Sequence, residues 1–292
     1  MRSAWPSLAE DNVRKKVDAI AVAAELLPGV SVPLLKELHL LTRDGDLNAD
    51  SRRKLKQVNH FIGFLRPLFA DAAERHEQPV IVDCGAGKSY LGFLLAEVFL
   101  KPLGRGSIIA LETRPELAAS TSERAAKLGL PQLQAKASAI ATADVPERVH
   151  IVTALHACDT ATDEALALAI QHNADHVAVV PCCQAEVARQ LGEHDPPDPA
   201  IASLAAHAWH RRELGSHLTN VIRALTLEAH GYKVTVTELA GWEHSLKNEL
   251  ILGKRVQRDN KRASVKLQEL LTATGVTPTL TRLLAASPPP AV

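Results

Sequence analysis

Apolar residues recur every three or four positions over most of residues 7 to 75, which predicts helices there. The first predicted helix has an apolar face made of Val13, Val17, Ile20, Ala24 and Leu27. A short second helix is expected after Ser31, and the turn at 43–46 leads to a longer helix capped by Asn48 or Asp50. The apolar face of that longer helix consists of Leu55, Val58, Ile62, Leu65 and Leu68. Residues 1–75 are therefore expected to form an amino-terminal helical module.

From residue 79 the pattern changes to short β-branched runs that alternate with helical segments. The predicted strands are 79–83, 107–112, 150–155, 176–180, 232–238 and 248–253, the last two as an antiparallel hairpin. The predicted helices are 91–100, 114–128, 162–173 and 218–230, with a long insertion at 184–216. Strands alternating with helices predict a parallel sheet covered on both faces. We expect an α/β fold whose doubly wound, Rossmann-like sheet spans 76–253, followed by a helical appendage and disordered tail at 254–292.

Composition narrows the classes of protein that the chain can belong to. Its 292 residues include 33 basic and 33 acidic ones, so no net charge attracts nucleic acid or an anionic membrane. No apolar run reaches the roughly 18 residues that a membrane span needs, and the amino terminus lacks the apolar stretch of a secretory signal. Four cysteines are too few for a disulfide framework. We expect a cytoplasmic protein without a membrane partner, and its oligomeric state is not predicted.

The turn after the first predicted strand is the most informative segment, and it reads DCGAGKSY over 83–90. A nucleoside-triphosphate loop of the Walker A type would need glycine in place of Val82, which lies inside the strand. A nicotinamide-dinucleotide turn would need glycine in place of Tyr90. S-adenosylmethionine carries a sulfonium cation instead of a pyrophosphate, so an acid at the strand end suits it, and Asp83 is there. The turn therefore favours S-adenosylmethionine over the other two ligands.

A second acid follows the next predicted strand. Glu112 stands at its carboxyl end, where two carboxylate oxygens can accept hydrogen bonds from both ribose hydroxyls. Two acids on neighbouring strand ends strengthen the prediction of S-adenosylmethionine. The alternative is that Asp83 caps a helix and Glu112 lies on the surface.

The four cysteines all follow the ends of strands that are expected to be neighbours. They occur at Cys84, in the segment 156–159 (HACD) and in the segment 181–184 (PCCQ). One interpretation is that they are small residues lining a tight pocket. A second is a thiolate metal site that includes His156, against which the absence of a Cys-x-x-Cys pair counts. A third is a catalytic or positioning role for His156, Asp159 or the Cys182-Cys183 turn; we assign no metal ligands.

Taken in order, the segments DCGAGKS, LHAC and VPCC resemble a known family. They are similar to the class I S-adenosylmethionine-dependent methyltransferase domain shared by methyltransferase-like protein 25 and the glutathione S-transferase C-terminal domain-containing protein. They are more distantly similar to the tRNA 2′-O-methyltransferases with a Cys-His-His zinc motif, whose extra zinc-binding region is not visible in this sequence. The resemblance covers about residues 55–253. It implies a class I fold, with a seven-stranded α/β sheet, and S-adenosylmethionine as methyl donor.

The resemblance also implies roles for particular residues. The expected cofactor contacts are Asp83, Gly85, Gly87, Lys88, Glu112, Ser138, Leu155 and His156. His156 and Asp159 are the candidates for handling the proton that the acceptor loses. The candidate substrate contacts are Cys182, Cys183, Arg211, Arg212, Lys247 and Asn248, and Trp209 beside the two arginines could stack a base.

The acceptor is expected to be RNA, which would make the reaction an RNA modification. This expectation rests on the family analogy and on a local basic patch made of Arg52, Arg53, Lys54 and Lys56. The same patch can also be a solvated helix face. A protein or small-molecule acceptor, which the neutral net charge favours, and a catalytically silent cofactor-binding scaffold remain the alternatives.

Overall fold

The computed structural model describes residues 28–47, 49–155, 157, 159–239 and 249–286. Within these ranges a single seven-stranded sheet forms, in the order β3-β2-β1-β4-β5-β7-β6. The strands are β1 (Val80–Cys84), β2 (Ser107–Glu112), β3 (Leu133–Ala137), β4 (Ile151–Leu155), β5 (His176–Val180), β6 (Tyr232–Glu238) and β7 (Glu249–Arg255). Strands β1 to β5 are parallel, whereas β7 is antiparallel to both of its neighbours. The predicted α/β, Rossmann-like sheet of seven strands is confirmed.

Helices cover both faces of this sheet. They are α1 (Val32–Glu37), α2 (Ala49–Arg75), α3 (Tyr90–Leu95), α4 (Lys101–Leu103), α5 (Pro115–Lys127), α6 (Thr160–Gln171), α7 (Glu186–Glu193), α8 (Pro199–Ala205), α9 (Ala208–Ala229), α10 (Lys261–Thr274) and α11 (Thr279–Ala286). A π-helical turn, Ala96–Leu100, joins α3 to α4. None of the described helices combines the length and the apolar character required to cross a lipid bilayer.

Several sequence predictions need correction. The helix predicted at 91–100 is divided between α3 and the π-helical turn, and the helix predicted at 218–230 begins much earlier, at Ala208. Strand β3 was not among the strands located from the sequence. The last two strands pair as the expected antiparallel hairpin, in which β7 lies next to β5 and β6 forms the edge. The first predicted helix, the cap at Asn48 and the tail from residue 287 lie outside the described residues.

Helices α1 and α2 pack on one face of the sheet. The predicted apolar face of α2 is confirmed, since Leu55, Ile62 and Leu65 are fully buried in the same core as Ile81 of β1 and Phe93 of α3. This shared core means that α2 covers the sheet as a helix of the α/β fold does. The division of the chain at residue 75 stays a prediction.

Residue Ser31 anchors the start of α1. Its side-chain oxygen accepts a hydrogen bond from the backbone N–H of Leu34 at 3.3 Å, so it caps the helix. Its own N–H and hydroxyl donate to the two carboxylate oxygens of Glu97 at 2.9 and 2.7 Å. Because Glu97 belongs to the π-helical turn after α3, this contact joins the amino-terminal helices to the helix that follows β1.

A buried ion pair holds the other face together. The guanidinium of Arg223, in α9, is 1% exposed and donates to both carboxylate oxygens of Asp163, in α6, at 3.0 and 2.6 Å. It also donates to the backbone oxygen of Asp159 at 2.9 Å and to the side-chain oxygen of Asn220 at 3.1 Å. These bonds tie α9 to α6 and to the segment that follows β4.

Replacing Arg223 by methionine should be strongly destabilising, because it leaves the carboxylate of Asp163 buried without its partner. We expect the free energy of unfolding, measured by urea titration, to fall by about 3–5 kcal/mol. Arg189→Met is the matched control, since it breaks an exposed ion pair with Glu193. Its expected loss is below about 1 kcal/mol. Equal losses in the two variants would contradict the assigned role of Arg223.

Candidate active site

The turn after β1 lies at the edge of the sheet where β1 to β5 end, which we call the carboxyl edge. Gly85 and Gly87 have φ values of 65° and 56°, in the left-handed region that glycine adopts at little cost. The N–H of Ala86 donates to the backbone oxygen of Leu111 at 2.9 Å, so the turn is held against the end of β2. The DCGAGKSY segment therefore forms the strand-turn-helix expected from its glycines.

The carboxylate of Glu112, at the end of β2, contacts this turn directly. It accepts a hydrogen bond from the N–H of Gly87 at 2.8 Å, and from the N–H and Nε of Arg114 at 3.0 and 2.8 Å. Hydrogen bonding from the Arg114 side chain lowers the pKa of Glu112 to about 2, although partial burial opposes the shift. Glu112 is therefore ionised at neutral pH and lies beside the glycine turn, so the alternative of an isolated surface carboxylate is wrong.

The carboxyl group of Asp83 lies beneath the turn, between β1 and β4. It is 2% exposed, and Thr153, its partner in the β1–β4 register, donates a hydrogen bond to it at 3.0 Å. Burial raises the pKa of Asp83 to about 7, although the Thr153 hydrogen bond opposes the shift. A cation bound next to Asp83 would favour its ionised form. Direct contact between Asp83 and a cofactor stays a prediction.

Space for a ligand exists above the turn. A Cβ atom added to Gly87 would meet nothing within 4 Å, whereas one added to Gly85 would touch the Cβ of Ala157 at 3.4 Å. The N–H of Ser138 donates to the backbone oxygen of Glu112 at 3.0 Å, which places Ser138 on the same edge. The open space beside an ionised carboxylate fits the hydroxylated ribose of S-adenosylmethionine.

Not all of the predicted cofactor contacts lie beside the glycine turn. Six of them lie together at the carboxyl edge: Asp83, Gly85, Gly87, Glu112, Ser138 and Leu155. Lys88 is exposed and lines a different cavity, of 250 Å³, together with Glu37, Tyr90 and Arg124. A cofactor contact from Lys88 thus gains no support from its position. His156, Lys247 and Asn248 lie outside the described residues.

Residue Asp159 joins the segments that follow β4 and β5. Its N–H donates to the backbone oxygen of Cys183 at 2.7 Å, and its carboxylate accepts from the N–H of Ala185 at 3.2 Å. Its φ of 50° is unusual for a residue other than glycine, so these bonds hold a strained backbone. In this arrangement Asp159 positions the Cys182-Cys183 turn. A role of Asp159 in accepting the proton that the acceptor loses stays a prediction.

The cysteines at the carboxyl edge differ in environment. Cys84 is fully buried, and burial raises the pKa of its thiol well above its usual range, which makes it unreactive. Cys182 is half-buried and Cys183 is exposed, and their sulfur atoms are 3.7 Å apart. The interpretation as a small pocket-lining residue fits Cys84, while Cys182 and Cys183 lie nearer the surface, and their predicted contact with a substrate stays a prediction. Cys158 lies outside the described residues.

The two arginines of α9 have different surroundings. Arg211 donates to the backbone oxygen of Ala205 at 3.1 Å and packs against Gly192, so it joins α9 to α7 and α8. Arg212 is exposed and lies over the ring of Trp209, with its Cζ 4.1 Å from the ring centroid. The Trp209 side chain is itself 65% exposed. Arg212 also donates to the Glu213 carboxylate at 3.0 and 2.9 Å. Of the two arginines, Arg212 is the more exposed, and its contact with a substrate stays a prediction.

The first turns of α9 extend beyond the carboxyl edge. Gln184, which follows β5, donates from its side chain to the backbone oxygen of Ser216 at 3.2 Å, so Ser216 lies level with that edge. Residues 209–216 span about 10 Å along a helix axis. Trp209 and Arg212 therefore stand beyond the strand ends, on the side where an acceptor has to approach.

Sequence reasoning missed two contributors to the site. Thr153 lies inside β4 and contacts Asp83 only because the two strands pair in that register, which the sequence does not specify. Arg114 could have been noticed, because it follows Glu112 by two residues and opens a helix. Both side chains control the charge of a predicted cofactor contact.

Comparison with known proteins supports the kind of domain predicted from the sequence. Residues 53–190 match the family model described as a methyltransferase domain. This match covers just under half of the chain and agrees with the prediction of a methyltransferase. No curated protein sequence matches the chain. The particular relatives inferred from the cysteine motifs stay a prediction.

Three solved structures illustrate the similarity of fold. An rRNA methylase from Streptococcus thermophilus is 14% identical, with 67% of this chain and 96% of that chain covered and a TM-score of 0.44. The SAH-bound methyltransferase PaMTH1 of Podospora anserina is 14% identical, with coverage of 88% and 100% and a TM-score of 0.47. The SAH-bound magnesium protoporphyrin IX methyltransferase of Synechocystis PCC 6803 is 10% identical, with coverage of 82% and 100% and a TM-score of 0.45.

Proposed function

We propose that this protein transfers a methyl group from S-adenosylmethionine to RNA. The observation that carries the cofactor is the contact between the Glu112 carboxylate and the N–H of Gly87. This contact places an ionised acceptor for ribose hydroxyls beside a bare backbone turn with open space above it.

Different residues of the site would bind the cofactor and align it with the acceptor. When bound, S-adenosylmethionine would supply a sulfonium methyl group, which an acceptor atom would take by in-line attack while the sulfur leaves as a neutral thioether. Glu112 accepts hydrogen bonds from the ribose hydroxyls, and the Gly85–Gly87 backbone lets the cofactor approach closely. Asp83 supplies a negative charge beneath the turn once a cationic ligand favours its ionisation. Alignment of the two reactants is the main contribution that such a site makes to the rate.

The choice of RNA as the proposed acceptor rests on the protein surface beside the carboxyl edge, on each face of the sheet. On one face, the first turns of α9 present Trp209 and Arg212. An exposed aromatic ring stacks a base, and a guanidinium binds a phosphate. A single-stranded nucleic acid needs both kinds of contact, so this surface favours RNA over a small molecule.

On the other face, the basic patch of α2 also extends past the carboxyl edge. The far end of α2 lies at the opposite edge, where Asp71 contacts His176, the first residue of β5, at 2.7 Å. Residues 54–71 span about 26 Å of helix. A five-residue strand such as β5 spans only about 17 Å. The first turns of α2 therefore reach beyond the strand ends, and their side chains Arg52, Arg53 and Lys56 are exposed.

Labelled S-adenosylmethionine, incubated with separate RNA, protein and metabolite fractions, should transfer label to RNA. Replacing Arg52, Arg53 and Lys56 by glutamine should weaken RNA binding and lower the slope of log K against log salt by about 2. The same exchange at Lys261, Arg262 and Lys266, which are exposed on α10, removes equal charge and should leave the slope nearly unchanged.

Other outcomes would redirect the proposal. Label in the protein or metabolite fraction would replace RNA by that acceptor, and identical salt slopes in both triple variants would remove the α2 patch from the interface. Binding of S-adenosylmethionine without transfer to any fraction would favour a catalytically silent scaffold.

A further inference from the structure

A second polar cavity lies at the opposite edge of the sheet, where β1, β4 and β5 begin. It has a volume of about 490 Å³ and is open to solvent. Its lining consists of Arg75, Arg148, Asn173, Asp175, Arg255 and Gln257. These residues come from the end of α2, the segment before β4, the connection from α6 to β5, and the end of β7. Distant parts of the chain therefore meet to form it.

The charge of this cavity is positive. Arg75 and Arg148 each donate from Nη2 to the same oxygen of Asp175, at 2.9 and 2.8 Å. Their side chains remain 43% and 42% exposed, whereas that of Asp175 is 4% exposed. Arg75 also donates from Nη1 to the carboxylate of Asp71 at 3.0 Å. Two carboxylates therefore face the three guanidinium groups of Arg75, Arg148 and Arg255, which leaves a net positive charge at the cavity.

The guanidinium of Arg255 has a hydrogen-bond donor that lacks an acceptor among the described residues. Its Nη1 is buried and has no hydrogen-bond partner among the described residues. The guanidinium lies over the ring of Tyr232, 5.8 Å from its centroid, and the Arg255 backbone N–H donates to the oxygen of Asp175 at 2.8 Å. A buried charged donor without an acceptor is costly, so a ligand that draws the Arg255 guanidinium towards the cavity and supplies an acceptor would be stabilising.

The residues beside this cavity do not suit a metal ion. One ligand atom each of His76, His150 and Asp175 lie within 4.8 Å of one another, as they do in some metal sites. However, Nδ1 of His150 accepts a hydrogen bond from the N–H of Val80 at 2.8 Å, and Nε2 of His76 contacts Asp175 at 2.8 Å. The two guanidinium groups on Asp175 would also repel a cation.

We propose that this cavity binds a phosphate-type oxyanion. Guanidinium groups present paired donors that match the oxygens of a phosphate, and the side-chain amides of Asn173 and Gln257 can donate further hydrogen bonds. The volume accommodates a phosphate or diphosphate group. The site lies at the opposite edge from the candidate active site and does not depend on the function proposed above.

Isothermal titration of the full chain with inorganic phosphate and with pyrophosphate tests the proposal. We expect pyrophosphate to bind, and Arg255→Gln to weaken its binding at least about tenfold. Arg258→Gln removes an exposed positive charge three residues further on, outside the cavity lining, and should leave the affinity unchanged. Pyrophosphate should also raise the melting temperature of the wild type more than that of Arg255→Gln.

The two sources of a phosphate group are separated by a competition measurement. A short RNA oligonucleotide that displaces pyrophosphate identifies the nucleic-acid backbone as the source, and failure to displace it identifies a free phosphate compound. No binding of pyrophosphate to the wild type, or equal affinities in the two variants, would overturn the proposal. If Arg255→Gln does not fold, as judged by circular dichroism, Arg148→Gln replaces it with the same expected loss.

Discussion

Replacing Glu112 by glutamine is expected to weaken the binding of S-adenosylmethionine about a hundredfold, because the charge is lost and the amide NH2 cannot accept a hydrogen bond from a ribose hydroxyl. The exchange keeps the size of the side chain and one carbonyl oxygen for the N–H of Gly87. The turn should therefore persist while the affinity falls. Isothermal titration gives the dissociation constant of each variant directly.

The control for this measurement is Glu116→Gln. Glu116 is exposed in the first turn of α5, so its exchange removes the same charge near the site without touching the turn. We expect its affinity to stay within a factor of about two of the wild type, as for surface charges that are screened by salt. Equal weakening in the two variants would mean that Glu112 acts only through the general field of the site.

Replacing Asp83 by asparagine should raise stability at pH 8 and lower cofactor affinity in the same protein. Burial raises the pKa of Asp83 from its usual value of 3.8 to about 7 in the folded chain. Between these values the native state holds a proton that the unfolded chain has lost, so this group makes stability fall as pH rises. Asparagine removes that dependence, and the gain at pH 8 is at most about 4 kcal/mol.

Urea titrations at pH 5 and pH 8 measure this difference. We expect Asp83→Asn to gain stability over the wild type mainly at pH 8, whereas Asp144→Asn, whose side chain is fully exposed, should show no such change between the two pH values. A gain of equal size at both pH values would mean that packing, and not ionisation, explains the effect.

The same ionisation should appear in ligand binding. A cationic ligand next to Asp83 favours the charged carboxylate, so the affinity of the wild type for S-adenosylmethionine should increase between pH 6 and pH 8. Asp83→Asn should bind more weakly at pH 8 and lose this slope. Titration in buffers of different ionisation enthalpy measures the proton that the wild type releases. Identical pH profiles would place Asp83 away from the cation.

The sequence alone predicted that Asp83 and Glu112 lie at the same edge of the sheet, for a physical reason. Parallel strands place their carboxyl ends at one edge, so acids found at the ends of two neighbouring β-branched runs must lie close together. Asp83 and Glu112 follow this rule. The glycine turn could also be predicted, because Gly85 and Gly87 were available for the left-handed conformation that it requires.

Other parts depended on tertiary contacts that local pattern does not encode. Strand β3 has the sequence LQAKA, with a single strongly apolar residue, and it forms because its backbone pairs with β2. Helix α9 extends far beyond its predicted start because Gly215 allows close contact with Ala188 of α7. Lys88 follows the glycines directly in sequence, yet its side chain lines the cavity beside α1 and α5.

The contact between Ser31 and Glu97 has a consequence for how this molecule can be divided. The stretch 53–190, which matches the methyltransferase family model, contains Glu97 but lacks Ser31, which donates two hydrogen bonds to Glu97. It also lacks Leu34 and Leu35, which fill the same core. A fragment cut to that stretch would open an apolar surface and strip a carboxylate of its two donors. The unit that sequence similarity recognises is thus smaller than the unit that unfolds cooperatively.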